Sequence, residues 1–390
     1  MKPTAVQFGA GAIGRGFIAQ LFHESGYRVV FVDVVPQLLQ AINERGRYTI
    51  HIVGEGSEDV LIDDICAVDG RDQAAVAEAL AGCAVASTAV GAGALEHIAG
   101  NLAAGLQRRR EQGGGPLNVL VCENLHDAAG LLRNLVAEHL PASARHEILA
   151  QVGFVQAVVS RMVPVQQPGP GEDPLAIRVE AYKRLPVDGR AVVGTLAPIA
   201  GVEPVANFEG YVEQKLYTHN CGHAALGYLG YQYNLVYGYE ALEHPSVRPV
   251  LDEALRETSA ALVRKHGFTE DEQRAHVEDL LRRFGNRALG DTCLRLARDP
   301  MRKLAPDDRL VGALRLCEDQ GIEPAALPLI IAAALRFDYR EDPSAEELQR
   351  RINERGVEAV LKELCGISVE EEAGRKILEA YRRRIWELSS

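Results

Sequence analysis

The stretch KLYTHNCGH, residues 215 to 223, gathers an amine, two imidazoles, an amide and a thiol. Two chemistries fit these residue types. His219 and His223 stand four apart, the spacing with which one helix face holds a zinc ion. Alternatively, Lys215 exchanges a proton with an alcohol substrate while Asn220 and His223 hold the reacting oxygen. On an α-helix each residue turns by about 100°, so relative to Lys215 the wheel sets His219 at about 40°, His223 at about 80°, Asn220 at about 140° and Cys221 at about 240°. The thiol therefore falls off the face that carries the histidines. The glutamate of an HEXXH pair is missing, and no other His or Cys cluster in the chain offers a third ligand. A lysine that loses its water beside a positively charged nicotinamide has its pKa lowered toward neutrality, which suits a base. Spacing alone also allows a surface lysine followed by a capping asparagine.

A second chemical signal opens the chain. GAGAIG, from Gly9 to Gly14, matches G-x-G-x-x-G, follows the apolar run TAVQFG and opens a helical pattern. Gly9 permits the tight turn, Gly11 lets a pyrophosphate approach the backbone, and Gly14 lets helix and strand pack closely. The phosphates would sit on the free N–H groups of the helix start. Asp33 ends the next strand, about 20 residues further on, where a carboxylate takes the ribose hydroxyls and repels a 2′-phosphate. NAD rather than NADP is the expected cofactor. Phe8, Gly9, Ala10, Gly11, Ile13, Gly14, Arg15 and Asp33 are its expected contacts. TAVGAG (88–93) and CEN (122–124) end two later strands at the same edge, which adds Val90 and Asn124 on the nicotinamide side and Glu123 as a buried carboxylate nearby.

The elements that position these groups follow from the hydrophobic pattern. The first third alternates continuous apolar strands with helices, which predicts an α/β fold with a Rossmann-type, doubly wound parallel sheet. YTIHIVG and DVLIDDICAV look like an inserted strand pair. After QVGFVQAVVSRMVP comes a proline-glycine-rich loop, QQPGPGEDP, and LAIRVEAYKRLPVDG returns to strand-like alternation. Beyond about 195 the pattern is helical, in amphipathic segments with glycine stops such as DEALRETSAALVRKHG and SAEELQRRINERG. The expected division is a cofactor domain over 1–195 and a mainly α-helical domain over 196–390 that carries Lys215.

Composition narrows the partners. The formal net charge of −12 argues against nucleic acid and anionic membrane surfaces while leaving room for a local basic pocket. ALPLIIAAAL is too short to span a bilayer, and no signal-like core follows MKP. Seven scattered cysteines without a CxxC read as reduced thiols, so the cytoplasm is the expected compartment. A monomer or homodimer is expected.

Lys-x4-Asn-x2-His resembles the signature of the polyol-specific long-chain dehydrogenases, here as Lys215, Asn220 and His223. FGAGAIGRGFI (8–18), STAVG (87–91), CEN (122–124), VGF…RMVP (152–164) and RKLAPDDRL (302–310) line up with one branch of that family in order, over nearly the whole length. The resemblance implies a metal-independent, NAD-dependent oxidoreductase in which the lysine is the general acid/base and the asparagine and histidine bind the reacting oxygen. It further implies reversible conversion of D-mannitol 1-phosphate to D-fructose 6-phosphate. A phosphorylated substrate needs cations, and Arg161, Arg295, Arg302, Lys303 and Arg309 are the candidates, with Asp188 a further substrate contact. Ser160-Arg161 stands where the family commonly has Asp-Arg. Gln156 stands where relatives carry Asn or Asp, and Leu185 replaces the usual tryptophan near Asp188, which weakens these outlying assignments. A relative with an uncharged polyol or hexuronate substrate is the alternative within the family. A non-catalytic NAD-binding redox sensor is the alternative outside it.

Overall fold

The computed structural model describes residues 2–164, 166, 171 and 173–384. It divides into two compact units between Phe208 and Glu209. Most of the proline-glycine-rich loop expected after RMVP lies outside the described residues.

The first unit is built on a six-stranded parallel sheet. Its strands are β1 (Thr4–Phe8), β2 (Arg28–Asp33), β5 (Ile65–Asp69), β6 (Val85–Thr88), β7 (Leu117–Val121) and β8 (Val152–Gln156). They stand in the order β5-β2-β1-β6-β7-β8. Successive residues of a strand face opposite sides. Accordingly Ala5, Val29, Phe31, Val85 and Leu120 enter one buried core, and Val6, Phe8, Val30, Val32, Ala86, Val119 and Val121 enter another. Burial on both faces is why these strands read as unbroken apolar runs. The helices Gln73–Gly82, Leu95–Glu111 and Ala128–His139 cover the second core. The strand order reverses between β1 and β6, and the carboxyl ends on either side of that point form the crevice where such sheets bind ligands.

Two smaller sheets complete this unit. β3 (Arg47–Ile52) pairs antiparallel with β4 (Glu58–Asp63) and parallel with β9 (Ile177–Val179). DVLIDDICAV is therefore not one strand of a pair. Asp64, at φ 54°, breaks it, and its second half becomes β5 of the main sheet. β10 (Leu185–Asp188) pairs with β11 (Val202–Val205). That pairing keeps residues past the expected 195/196 division with the first unit.

The second unit is helical. Its longer helices include Cys221–Gln232, Arg248–His266, Glu270–Phe284, Ala326–Leu335, Pro343–Arg355 and Glu372–Arg383. Two of the expected glycine stops adopt positive φ, Gly267 at 70° and Gly356 at 82°, conformations that a side chain would strain. Thr269 and Glu272 form a reciprocal cap at the start of Glu270–Phe284. ALPLIIAAAL is a helix buried on nearly every side, with Glu257 accepting the N–H groups of Ala325, Ala326 and Leu327 at its start. No helix among the described residues is long and apolar enough to cross a membrane.

Candidate active site

In the first unit the Gly-rich turn is fixed by close backbone contacts. A Cβ on Gly9, at φ 86°, would stand 2.4 Å from the Ala89 oxygen, and one on Gly14 would stand 1.9 Å from the Gly9 oxygen. Only glycine fits either position. The Gln7 amide, fully buried in β1, donates to the carbonyls of Phe8 and Gly9 and accepts from the Ser87 hydroxyl. It props the turn from beneath. An amide inside an apolar strand is the sequence sign of this support. Gly11 and Ala12 are exposed, and a Cβ on Gly11 would meet no atom within 4 Å. The turn is thus closed on the protein side and open where phosphates would sit on the helix start. The first helical turns, Gly14–Ile18, are π-helical.

Asp33 lies at the end of β2 as expected. One carboxylate oxygen accepts from Ala10 N–H at 2.7 Å, and the other accepts from Val34 and Val35 N–H at 2.7 and 3.1 Å. The carboxylate thereby ties the Gly-rich turn to the second strand and still has a lone pair for a ribose hydroxyl. Glu123, buried at the end of β7, accepts from Val90 N–H and Gly91 N–H, each at 2.9 Å, one per oxygen. It sets the turn that presents Val90. Asn124 is exposed beside it. Ile13 is half-buried against the core, and Phe8 is wholly buried. Arg15 turns its guanidinium back onto the Ala10 carbonyl at 2.7 Å and the Leu175 carbonyl at 2.5 Å, so it braces the loop. These residues fit a dinucleotide with a free ribose 2′-hydroxyl.

In the second unit the local geometry differs from the α-helical wheel in a way that matters. Lys215–Asn220 is a π-turn, followed directly by the α-helix Cys221–Gln232. With hydrogen bonds from i to i+5, residue 220 stacks one turn above residue 215 rather than about 140° away, and His223 follows three residues later on the same side. π-turns of this kind concentrate at functional sites. The helix is held close to the segment Cys293–Ala297 because Gly227 lacks a side chain; a Cβ there would be 2.6 Å from the Ala297 nitrogen.

Lys215 is half-buried. Burial of its amine, helped by the charge of Arg309, lowers its pKa to about 8. Burial takes His223 down to about 3, and the charges of Arg283, Arg295, Lys303 and Arg309 add to this. His223 is therefore neutral across the working range and can only orient or hydrogen-bond. Its ring lies 4.3 Å from that of Phe284 and 4.8 Å from that of His219, the latter edge-on. His219 is buried, and burial first, His223 second, holds its pKa well below the usual value. Its Nδ1 has no hydrogen-bond partner among the described residues. Among the described residues no three His, Cys, Asp or Glu side chains gather as a metal site.

The expected phosphate cations divide between the units. Lys303 is buried, donates to the Leu296 carbonyl at 2.5 Å and lies 5.7 Å from the Tyr228 ring centroid. Burial, with Arg309 and Arg302 adding, lowers its pKa to about 7. Arg309 pairs with Asp308 at 2.6 Å, Arg302 with Asp299 at 2.7 Å, and Arg295 with Asp291. Arg161, in contrast, is buried in the first unit. It donates to the Glu180 and Gly16 carbonyls and the Gln20 amide oxygen, and lies over Phe17. Those contacts tie the end of β9 to the first helix. Asp188 caps the turn Gly189–Ala191 through Arg190 N–H. Gln156 accepts from Ala129 N–H and donates to the Leu125 and His126 carbonyls, a loop-bracing role.

Comparison with known proteins gives a consistent picture. The mannitol dehydrogenase Rossmann domain matches residues 3–201, and the mannitol dehydrogenase C-terminal domain matches residues 207–383. Mannitol-1-phosphate 5-dehydrogenase of Brevibacillus brevis is 41% identical over 93% of this chain and 93% of its own. The Bacillus subtilis protein of the same name is 39% identical over 94% of this chain and 96% of its own. Among solved structures, Pseudomonas fluorescens mannitol 2-dehydrogenase, in ternary complex with NAD and D-mannitol, superposes with a TM-score of 0.73 at 18% identity, over 98% of this chain and 91% of that one. A substrate-free D-sorbitol dehydrogenase gives 0.80 at 16%, over 98% and 93%. These two likenesses concern the fold.

Proposed function

Because the chain belongs to the mannitol dehydrogenase family, we propose that it interconverts D-mannitol 1-phosphate and D-fructose 6-phosphate with NAD, without a metal ion. When bound, NAD⁺ supplies the hydride acceptor. Lys215 removes the proton of the C5 hydroxyl as its hydride leaves, and returns it in the reverse direction. A pKa of about 8 leaves a useful share of free amine near neutral pH. Asn220, stacked on Lys215 by the π-turn, donates its amide N–H to the oxygen as charge builds on it. His223, neutral, donates a second hydrogen bond and fixes the oxygen's direction.

The observation that carries this reading is the π-turn that aligns Lys215, Asn220 and His223 amid Arg295, Lys303 and Arg309. Cations are what a phosphorylated polyol requires. Lys303 and Arg295 are the proposed phosphate partners, with Arg302 and Arg309 behind them. A dianionic phosphate would also restore full charge to Lys303. The relatives' names support the same substrate.

The test is to mix protein and NADH with D-fructose 6-phosphate, D-fructose or a keto-hexuronate and follow NADH absorbance. Oxidation with the phosphate alone is expected. Oxidation with fructose or a keto-hexuronate alone would place the chain with the uncharged-polyol or hexuronate branches. NADH binding with no turnover on any of them would make it a sensor.

A further inference from the structure

The π-turn that aligns Lys215 with Asn220 has to be held open, because an α-helical path through the same residues would set the two about 140° apart. The wider step is direct at its end, where Cys221 N–H donates to the Leu216 carbonyl, five residues back. Inside the turn stands Thr218, wholly buried. Its hydroxyl donates to the carbonyl of Gln214, four residues back. In an α-helix that carbonyl takes the N–H of residue 218 instead. A hydroxyl bonded in this way bends a helix. It also has one hydrogen to give and lone pairs to spare. With the hydrogen spent on Gln214, Thr218 Oγ1 accepts from His276 Nε2–H at 2.9 Å, which fixes both the hydroxyl and the tautomer of the ring.

His276 belongs to the helix Glu270–Phe284, which meets the turn along its length. At the entry, the buried Gln273 amide oxygen accepts from the Gln214 amide at 2.8 Å, and the Gln273 amide donates to the Ser259 hydroxyl at 3.2 Å. In the middle stands the bond from His276 to Thr218. Past the end, the Phe284 ring lies 4.3 Å from that of His223 and 5.7 Å from that of His219. Positions 273, 276 and 284 fall within about 80° on a helical wheel, so one face presents all three.

We propose that Thr218, locked by His276, is a positioning residue for the reaction: it keeps the turn in its π form and so holds Asn220 in line with Lys215. The inference rests on the proposed function, in which amine and amide meet one substrate oxygen. Thr218 and His276 carry no chemistry of their own; they act through Asn220.

The test measures kcat and KM for reduction of D-fructose 6-phosphate, with NADH Kd and melting temperature, in wild type, Thr218→Val, Thr218→Ser and His276→Ala. Asn220→Ala is measured with and without Thr218→Val. Valine keeps the volume and drops the hydroxyl, so kcat is expected to fall about ten- to hundredfold while NADH Kd stays at the wild-type value. Serine keeps the hydroxyl and is expected to recover most of that loss. His276→Ala removes one hydrogen bond from the lock and is expected to cost about three- to tenfold in kcat. On the Asn220→Ala background nothing is left to align, so Thr218→Val is expected to cost less than about twofold more. Losses that simply multiply would overturn the proposal, as would wild-type kcat in Thr218→Val or a serine variant as slow as the valine one. If Thr218→Val does not fold, the same cycle runs with His276→Ala, whose ring is only half-buried. Wild-type protein that oxidises NADH with none of the sugars would overturn the proposed function and this inference with it, an outcome visible before any variant is made.

Discussion

The pH dependence of turnover follows directly from the surroundings of Lys215. A lysine at its ordinary 10.5 has about one amine in three thousand uncharged at pH 7, whereas one at about 8 has about one in eleven. Burial and Arg309 together therefore raise the reactive fraction about 300-fold. For oxidation of the polyol phosphate, kcat/KM should climb about tenfold per pH unit and level off above about 8. For reduction, which needs the ammonium, the rate should hold below about 8 and fall above it. His223 cannot produce this limb, because it titrates near 3. Lys303 would give a limb near 7, and Lys303→Arg should leave the one near 8 in place. Arg309→Gln removes the smaller of the two causes, so the midpoint should move up yet stay below 10.5. Initial rates in both directions across pH 6 to 10.5 make the measurement. A flat profile, or a midpoint at the ordinary lysine value, would refute the assignment.

Three further outcomes follow. Asp33→Ala removes the charge that repels a 2′-phosphate, so the preference for NADH over NADPH should shrink at least about tenfold in kcat/KM; an unchanged ratio would mean another group reads the ribose. Glu123→Gln leaves one of the Val90 and Gly91 N–H groups without its acceptor, at a cost of about 1–3 kcal/mol. The melting temperature should fall and the NADH Kd rise, and a variant indistinguishable from wild type in both would remove Glu123 from the site's support. Exhaustive dialysis against a chelator should leave the rate unchanged; a loss that added zinc restores would revive the His219–His223 metal reading.

The parallel sheet, the Gly-rich turn and the Asp33 position were legible because each is written in local spacing. Apolar runs set the sheet, and G-x-G-x-x-G sets the turn. What was illegible depends on contacts between distant segments or on small departures from ideal helices. The wheel misplaced Asn220 because it assumed α-helical steps through a π-turn. The break at Asp64 hid inside an alternation that looked continuous. The contacts of Arg161, offered as a phosphate candidate, were not readable, since its partners Gly16 and Gln20 are 145 and 141 residues away in the chain. Glu123 was recognised as a buried carboxylate, but its role in shaping the Val90–Gly91 turn required the structure.

Replacing Lys215 by alanine and measuring turnover and NADH binding on the same preparation tests the central assignment most directly. Loss of a general acid/base is expected to lower kcat by about a hundredfold to ten-thousandfold, with NADH affinity close to wild type because the Gly-rich turn and Asp33 belong to the other unit. Turnover within a few-fold of wild type, with cofactor binding intact, would contradict it.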